Sequence, residues 1–169
     1  MNGPTHTTLA SLIREKARTT PDLNVLTFVT VASNGQLEDQ TRTYQQIYAN
    51  SQALARGLAN LGVRQGDRLA LMMNNHPEFV ETMVASGILG AAFVPIDPRT
   101  MGTKLSYMLD FTDCQGAVCA DYALASVLSV VADCPGLQWL VVVPTADNPS
   151  LPQAPLPVIS FPDLVAAPG

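Results

Sequence analysis

The chain has 169 residues and a net charge of −5, from 9 basic and 14 acidic side chains. That length suffices for one domain burying about 70% of its unfolded surface. A content of 47% hydrophobic and 14% charged residues excludes a disordered chain, and the lack of a basic stripe argues against nucleic acid as a partner.

No apolar run approaches the ~20 residues of a membrane-spanning helix. The opening "MNGPTHTTLASLIREK" lacks the charged-then-apolar layout of a signal peptide. The expected localisation is therefore cytoplasmic. Cys114, Cys119 and Cys134 form no Cys-x-x-Cys pair, and His6 and His76 lie far from them. They read as buried, unreactive thiols rather than as half of a metal site.

Taken in chain order, Thr5, Thr7 and Thr8 are a polar lead-in to a helix over 8–19, with Leu9, Leu12 and Ile13 on one face. Pro21 ends it. "VLTFVTV" (25–31) reads as a strand. Asn34-Gly35 predicts a type I′ hairpin turn into a second strand ending near residue 42.

Thr43 and Gln46 have capping-box spacing, so a helix is expected over 43–61. Ile47, Leu54, Leu58 and Leu61 make its apolar stripe, and Gly62 sits where a left-handed residue ends a helix.

Strands and helices then alternate. Strands are expected at 67–73, 91–96, 116–120 and 139–143. Helices are expected at 76–90, with Pro77 in the first turn, at 101–112, with Met101, Leu105, Met108 and Leu109 on one face, and at 121–133, with Asp121 as N-cap. The pattern predicts an α/β fold: an N-terminal β-hairpin region, then a doubly wound, mostly parallel sheet with flanking helices. Residues 144–169 carry seven prolines and read as an extended strap, in which "PVISF" has the composition of one short edge strand.

Candidate chemistry is sparse. The turns "NNHPEF" and "DPRTMG" match neither a dinucleotide fingerprint nor a Walker loop. His76 and Glu78 pair a base with an acid one turn into a helix, yet no Ser or Cys sits in a strand-to-helix elbow, so there is no hydrolase signature. His76 reads as a helix N-terminal residue, and Asn74 and Asn75 as turn and cap residues. The segment "PIDPR" (95–99) lies at the carboxyl end of a predicted parallel strand, where ligands of open sheets collect. There Asp97 is suited to cap a turn. Arg99 is either a forked donor for a phosphate or carboxylate, or a solvated surface residue.

These segments also carry a resemblance. "LGAAFVPIDP", "TPD" (20–22), "TYQQIYANSQALARGLANLGVRQGDRLAL" (43–71) and "MMNNHPEF" (72–79) resemble, in order and spacing, motifs of the adenylate-forming (AMP-binding) enzymes. That family includes acyl- and aryl-CoA ligases, peptide-synthetase adenylation domains and luciferases. The likeness covers about Leu9 to Val143. "PIDPR" is most similar to the carnitine- and crotonobetaine-CoA ligases.

The resemblance implies the N-terminal fragment of an ATP-dependent carboxylic acid–CoA ligase, with a subdomain over 1–143 and a Pro-rich strap over 144–169 leading toward a phosphate loop that these residues lack. The parent would use ATP, Mg²⁺ and coenzyme A to make an acyl-adenylate and then an acyl-CoA. The fragment alone would be inactive and bind no cofactor tightly. No catalytic or metal-ligating residue carries over. Arg99 alone matches a family position, near the phosphates of CoA. The expected partners are the remainder of the ligase chain and a second copy of this one. The second copy would dock on apolar surface left exposed by helices 43–61 and 76–90. The alternative is a free-standing, non-catalytic α/β module that binds a ligand or a protein.

Overall fold

A computed structural model describes residues 8–31, 34–145 and 151–167. Thr5, Thr7, His6 and strap residues 146–150 lie outside the described residues.

Helix α1 (Leu9–Thr19) starts at Thr8, whose hydroxyl accepts from the Ser11 amide at 3.1 Å while the Ser11 hydroxyl accepts from the Thr8 amide. Strands β1 (Asn24–Val31) and β2 (Leu37–Thr43) pair antiparallel as a separate two-stranded sheet. The turn between them differs from the type I′ expectation. Val31 pairs with Leu37, so five residues rather than two join the strands, and Gly35 has a φ of 79°. Instead the Asn34 carboxamide oxygen accepts from the Gln36 amide at 2.9 Å, an Asx turn inside a longer connection.

Helix α2 (Tyr44–Asn60) begins with the expected capping box, Thr43 to Gln46. It ends in a Schellman motif. The Gly62 amide donates to Ala59 O at 3.0 Å, the Val63 amide to Leu58 O at 3.1 Å, and Gly62 has a φ of 97°.

The remaining elements build one five-stranded parallel sheet. They are β3 (Arg68–Met72), α3 (Pro77–Leu89), β4 (Ala92–Pro95), α4 (Gly102–Phe111), β5 (Gly116–Ala120), α5 (Asp121–Leu128), β6 (Trp139–Val143), β7 (Val158–Ser160) and α6 (Phe161–Ala166). The strand order is β4-β3-β5-β6-β7. One face packs Ala70, Met72, Ala117, Cys119, Leu140 and Val142 against α4 and α5. The other packs Leu69, Leu71, Val118, Ala120, Val141 and Val143 against α2, α3 and α6. Every residue of β5 and β6 is buried, which is why both strands read as unbroken apolar runs. Helix α1 adds a smaller cluster, Ala10 and Ile13 on Ile47 and Val84.

Three further expectations differ. The residue capping α5 is Ala120, not Asp121, which stands in the first helical turn with its carboxylate turned to Thr145. The helix expected over 121–133 stops at Leu128 and resumes only as a short 3₁₀ turn, Val131–Asp133. The β-branched pair Val130-Val131 and Pro135 beyond it disfavour continuation. Met101 is 65% exposed at the start of α4, and Leu105 and Leu109 alone of its apolar residues are buried.

The strap also departs from an open tail. "PVISF" does form an edge strand, with Leu140↔Val158 and Val142↔Ser160 in register, but α6 follows it and packs on α2. A Cβ added to Gly57 of α2 would lie 2.6 Å from Leu164 Cγ, so the glycine is what lets α6 sit down. Because α1, α3 and α6 cover α2, the expected apolar patch is not on helices α2 and α3. The large exposed apolar side chains lie mostly on the hairpin (Val29, Val31, Leu37) and on α4 (Met101, Tyr107, Phe111).

Gly116 faces Trp139 across the β5–β6 ladder, and a Cβ there would come within 2.1 Å of the indole. Replacement Gly116→Ala is expected to cost about 1–3 kcal/mol by overpacking. A fall in the urea midpoint checks this; an unchanged midpoint would contradict the close Gly–Trp contact.

Candidate functional site

Both faces of the parallel sheet are buried, so polar chemistry collects beyond the strand ends. The chain leaves β3 for β4 on one side, then crosses back to β5 on the other side of β3. The carboxyl ends of β3 and β5 therefore flank a topological switch point, the position where open α/β sheets form a crevice. Four segments converge on this edge: Asn74–His76 after β3, Asp97–Arg99 after β4, Asp121-Tyr122 after β5, and Thr145 after β6.

The β3–β5 junction is held by Tyr122. Its hydroxyl oxygen accepts from the Asn74 amide at 2.6 Å and lies 3.1 Å from His76 Nε2. The two rings are 6.0 Å apart. Partial burial pushes the Tyr122 phenol above its ordinary pKa, and the Asn74 hydrogen bond opposes that shift. The Asp121 carboxylate accepts from the amides of Tyr122 and Thr145, both at 2.8 Å, and from the Thr145 hydroxyl. It thereby ties the exit of β6 to that of β5.

His76 stands at the N-cap of α3 as expected but makes no side-chain cap. The His76 amide donates to Asn74 O at 2.9 Å, which bears out the turn role of Asn74. No bond joins His76 to Glu78 among the described residues. Tyr122 was not a candidate in the sequence. It lies 46 positions from His76, and only the rule of the switch point, applied to β5, would have singled it out.

At the end of β4, Asp97 holds a tight turn. The Thr100 amide donates to Asp97 O at 2.8 Å, and the Arg99 amide to Asp97 Oδ1 at 2.9 Å. The Arg99 guanidinium also folds onto this carboxylate, Nε to Oδ1 at 3.0 Å and Nη2 to Oδ2 at 2.6 Å. Asp97 thus has the expected turn role. The Arg99 side chain remains 89% exposed, with the Nη1 end of its fork directed away from the pair.

The three cysteines are free and buried. Burial pushes all three thiols up, Cys119 to about 12, so they are inert as nucleophiles. No group of three His, Cys, Asp or Glu side chains suited to a metal occurs among the described residues.

Hydrogen bonds from the Arg99 side chain and amide hold the Asp97 carboxyl at a pKa of about 2. A depressed carboxylate pKa favours the folded turn above the unfolded value and loses that contribution as pH falls through the folded one. A ¹³C titration of the Asp97 carboxyl should show a midpoint of about 2, rising toward ~3.9 in Arg99→Ala. An ordinary midpoint in the unaltered chain would contradict the clasp.

Residues 13–158 match the family model described as AMP-binding enzyme. A feruloyl-CoA synthase from Amycolatopsis is 42% identical over 67 residues, covering 40% of this chain and 14% of that protein. The peroxisomal long chain acyl-CoA synthetase 7 of Arabidopsis thaliana is 28% identical over 140 residues, 80% of this chain and 20% of that one. Among solved structures, the anthranilate CoA ligase AuaEII in complex with anthranoyl-AMP superposes with a TM-score of 0.78 over 96% of this chain and 28% of that one, at 20% identity. This last likeness concerns the fold, an α/β sheet with flanking helices. The chain spans less than a third of the length of each of these three proteins. With most of its residues matched by the family model, the chain belongs to the AMP-binding enzyme family.

Proposed function

We propose that the chain is the N-terminal part of an ATP-dependent carboxylic acid–CoA ligase, which forms an acyl-adenylate and then transfers the acyl group to the thiol of CoA. The observation that carries this reading is the family match over 13–158. Two relatives named as acyl-CoA-forming enzymes support the choice of CoA as acceptor, and the neighbour solved with anthranoyl-AMP supports the adenylate. The finer likeness to carnitine- and crotonobetaine-CoA ligases rests on "PIDPR" alone. Nothing in the comparisons favours the alternative of a free-standing binding module.

ATP and Mg²⁺ are the cofactors of this reading, but the residues at hand do not fit them. The 169 residues contain no glycine-rich phosphate loop, and the described residues assemble no metal-ligating cluster. No step of the adenylation is assigned to these side chains. They supply a parallel sheet whose strand ends gather on one edge. There the outward end of the Arg99 fork is suited to a CoA phosphate, the one role the family resemblance gives to this chain.

The remaining ligase chain is the proposed partner. The exposed apolar side chains of the hairpin and α4 support contact with it, or with a second copy of this chain. A cytoplasmic setting is part of this proposal; no helix among the described residues is long and apolar enough to cross a membrane.

The parent protein should catalyse ATP–pyrophosphate exchange that depends on a carboxylic acid, while the 169-residue chain alone catalyses none. In the parent, Arg99→Ala should raise KM for CoA roughly tenfold, about 1.4 kcal/mol, and leave the exchange rate intact. Exchange by the isolated chain, or an unchanged KM for CoA, would contradict this reading.

A further inference from the structure

A cavity of about 350 Å³ opens between α2, α3 and α6, beside the end of β2. One side is polar, lined by Arg42, Asn50, Glu78 and Glu81. The other is apolar, lined by Phe161, Pro162 and Val165 of α6.

The Glu81 side chain is only 4% exposed. Arg42 Nε at 3.1 Å and Asn50 Nδ2 at 2.7 Å both donate to the same oxygen, Oε1. Arg42 spends Nη1 on Thr41 O, at 3.1 Å. The second oxygen of Glu81, Oε2, accepts from no donor among the described residues. Ser51 Oγ is the only fully buried side-chain N or O atom without a partner among the described residues, so Oε2 keeps access to solvent and is open to a donor from the cavity that Glu81 lines. Glu78 lies one helical turn before Glu81 and brings a second carboxylate to the same cavity. It too has no side-chain partner among the described residues. The formal charges of Glu78, Glu81 and Arg42 add to one net negative charge, which a monocation would neutralise.

Chemistry narrows the choice of cation. A divalent metal wants several oxygen ligands around it, and half of this wall is hydrocarbon. An ammonium group is compact, carries three donors and sits on a methylene stem. The volume lies at the small end of the ~300–1,000 Å³ range of ligand pockets. We propose that this cavity binds an alkylammonium group, with the nitrogen between Glu81 Oε2 and the Glu78 carboxylate and the stem against Phe161, Pro162 and Val165. The site stands on its own geometry, independent of the ligase reading.

The test is a ¹⁵N-amide titration of the full chain with n-butylammonium chloride, with n-butanol and matched KCl as controls. Butylammonium should give saturable shifts in residues 78–82 and 161–166, and butanol should not. Glu78→Gln is half-buried at the cavity mouth and leaves the Arg42–Glu81–Asn50 network in place. It should weaken binding at least fivefold. Val165→Lys, which supplies a tethered ammonium, should abolish the response. A second probe, Nα-acetyl-lysine methylamide, separates the sources. Binding as strong as butylammonium assigns a lysine side chain, and weaker binding assigns a free amine. Equal shifts with butanol, or an unchanged affinity in Glu78→Gln, would overturn the proposal.

Discussion

A parallel sheet covered on both faces can show chemistry only at the ends of its strands, and the rest of this structure follows from that constraint. Strands β5 and β6 are buried at every position. Alternate side chains serve two separate cores, one under α4 and α5 and the other under α2, α3 and α6. Apolar side chains pack both faces. Asn74, His76, Asp97, Arg99, Asp121 and Tyr122 therefore lie just past the carboxyl ends, where backbone turns leave the sheet. Tyr122 and Asp121 fasten those exits to one another through backbone amides, so the edge is a connected surface rather than a row of independent loops.

The second organising feature is electrostatic. The two-stranded hairpin shares no ladder with the main sheet, and an isolated hairpin is marginal in water. Arg42 anchors it by placing Nε on Glu81, in the seam between α2 and α3. Ser51, Thr82, Ala85 and Ser86, all buried, line the two helices, and such small side chains let α2 and α3 approach closely. Thr82 and Ser86 satisfy their hydroxyls on carbonyls four residues back. A carboxylate held by an arginine and an asparagine thus joins the hairpin, α2 and α3 at one point. The same point forms the wall of the cavity under α6.

Much of this was legible in the sequence where one local rule acts without competition. Five-residue apolar runs bounded by polar residues or proline placed β5 and β6 to the residue. Thr43 with Gln46, and Gly62, marked both ends of α2. Three misreadings arose where another interaction overrides the local rule, in two of them from far along the chain. Asp121 is a natural N-cap, but Thr145, 24 positions on, claims its carboxylate. "FPDLVA" looks like more of the proline tract, and becomes a helix because Gly57 offers it a seat. Asn34-Gly35 suits a two-residue turn, yet the Asn34 side chain bonds to Gln36 and draws out a longer one. The candidate site was half visible. Asp97 and Arg99 are two residues apart, whereas Tyr122 meets Asn74 and His76 only through the pairing of β3 with β5.

The central proposal is that the carboxyl edge of this sheet is the working edge of an adenylate-forming ligase. A crystal structure of the parent protein with CoA tests it most directly. The account predicts the CoA phosphates beside the exits of β3, β4 and β5, with a phosphate oxygen on Arg99 and the Asp97 turn intact. CoA bound at the amino ends of the strands, with the Arg99 fork touching nothing but Asp97, would contradict it.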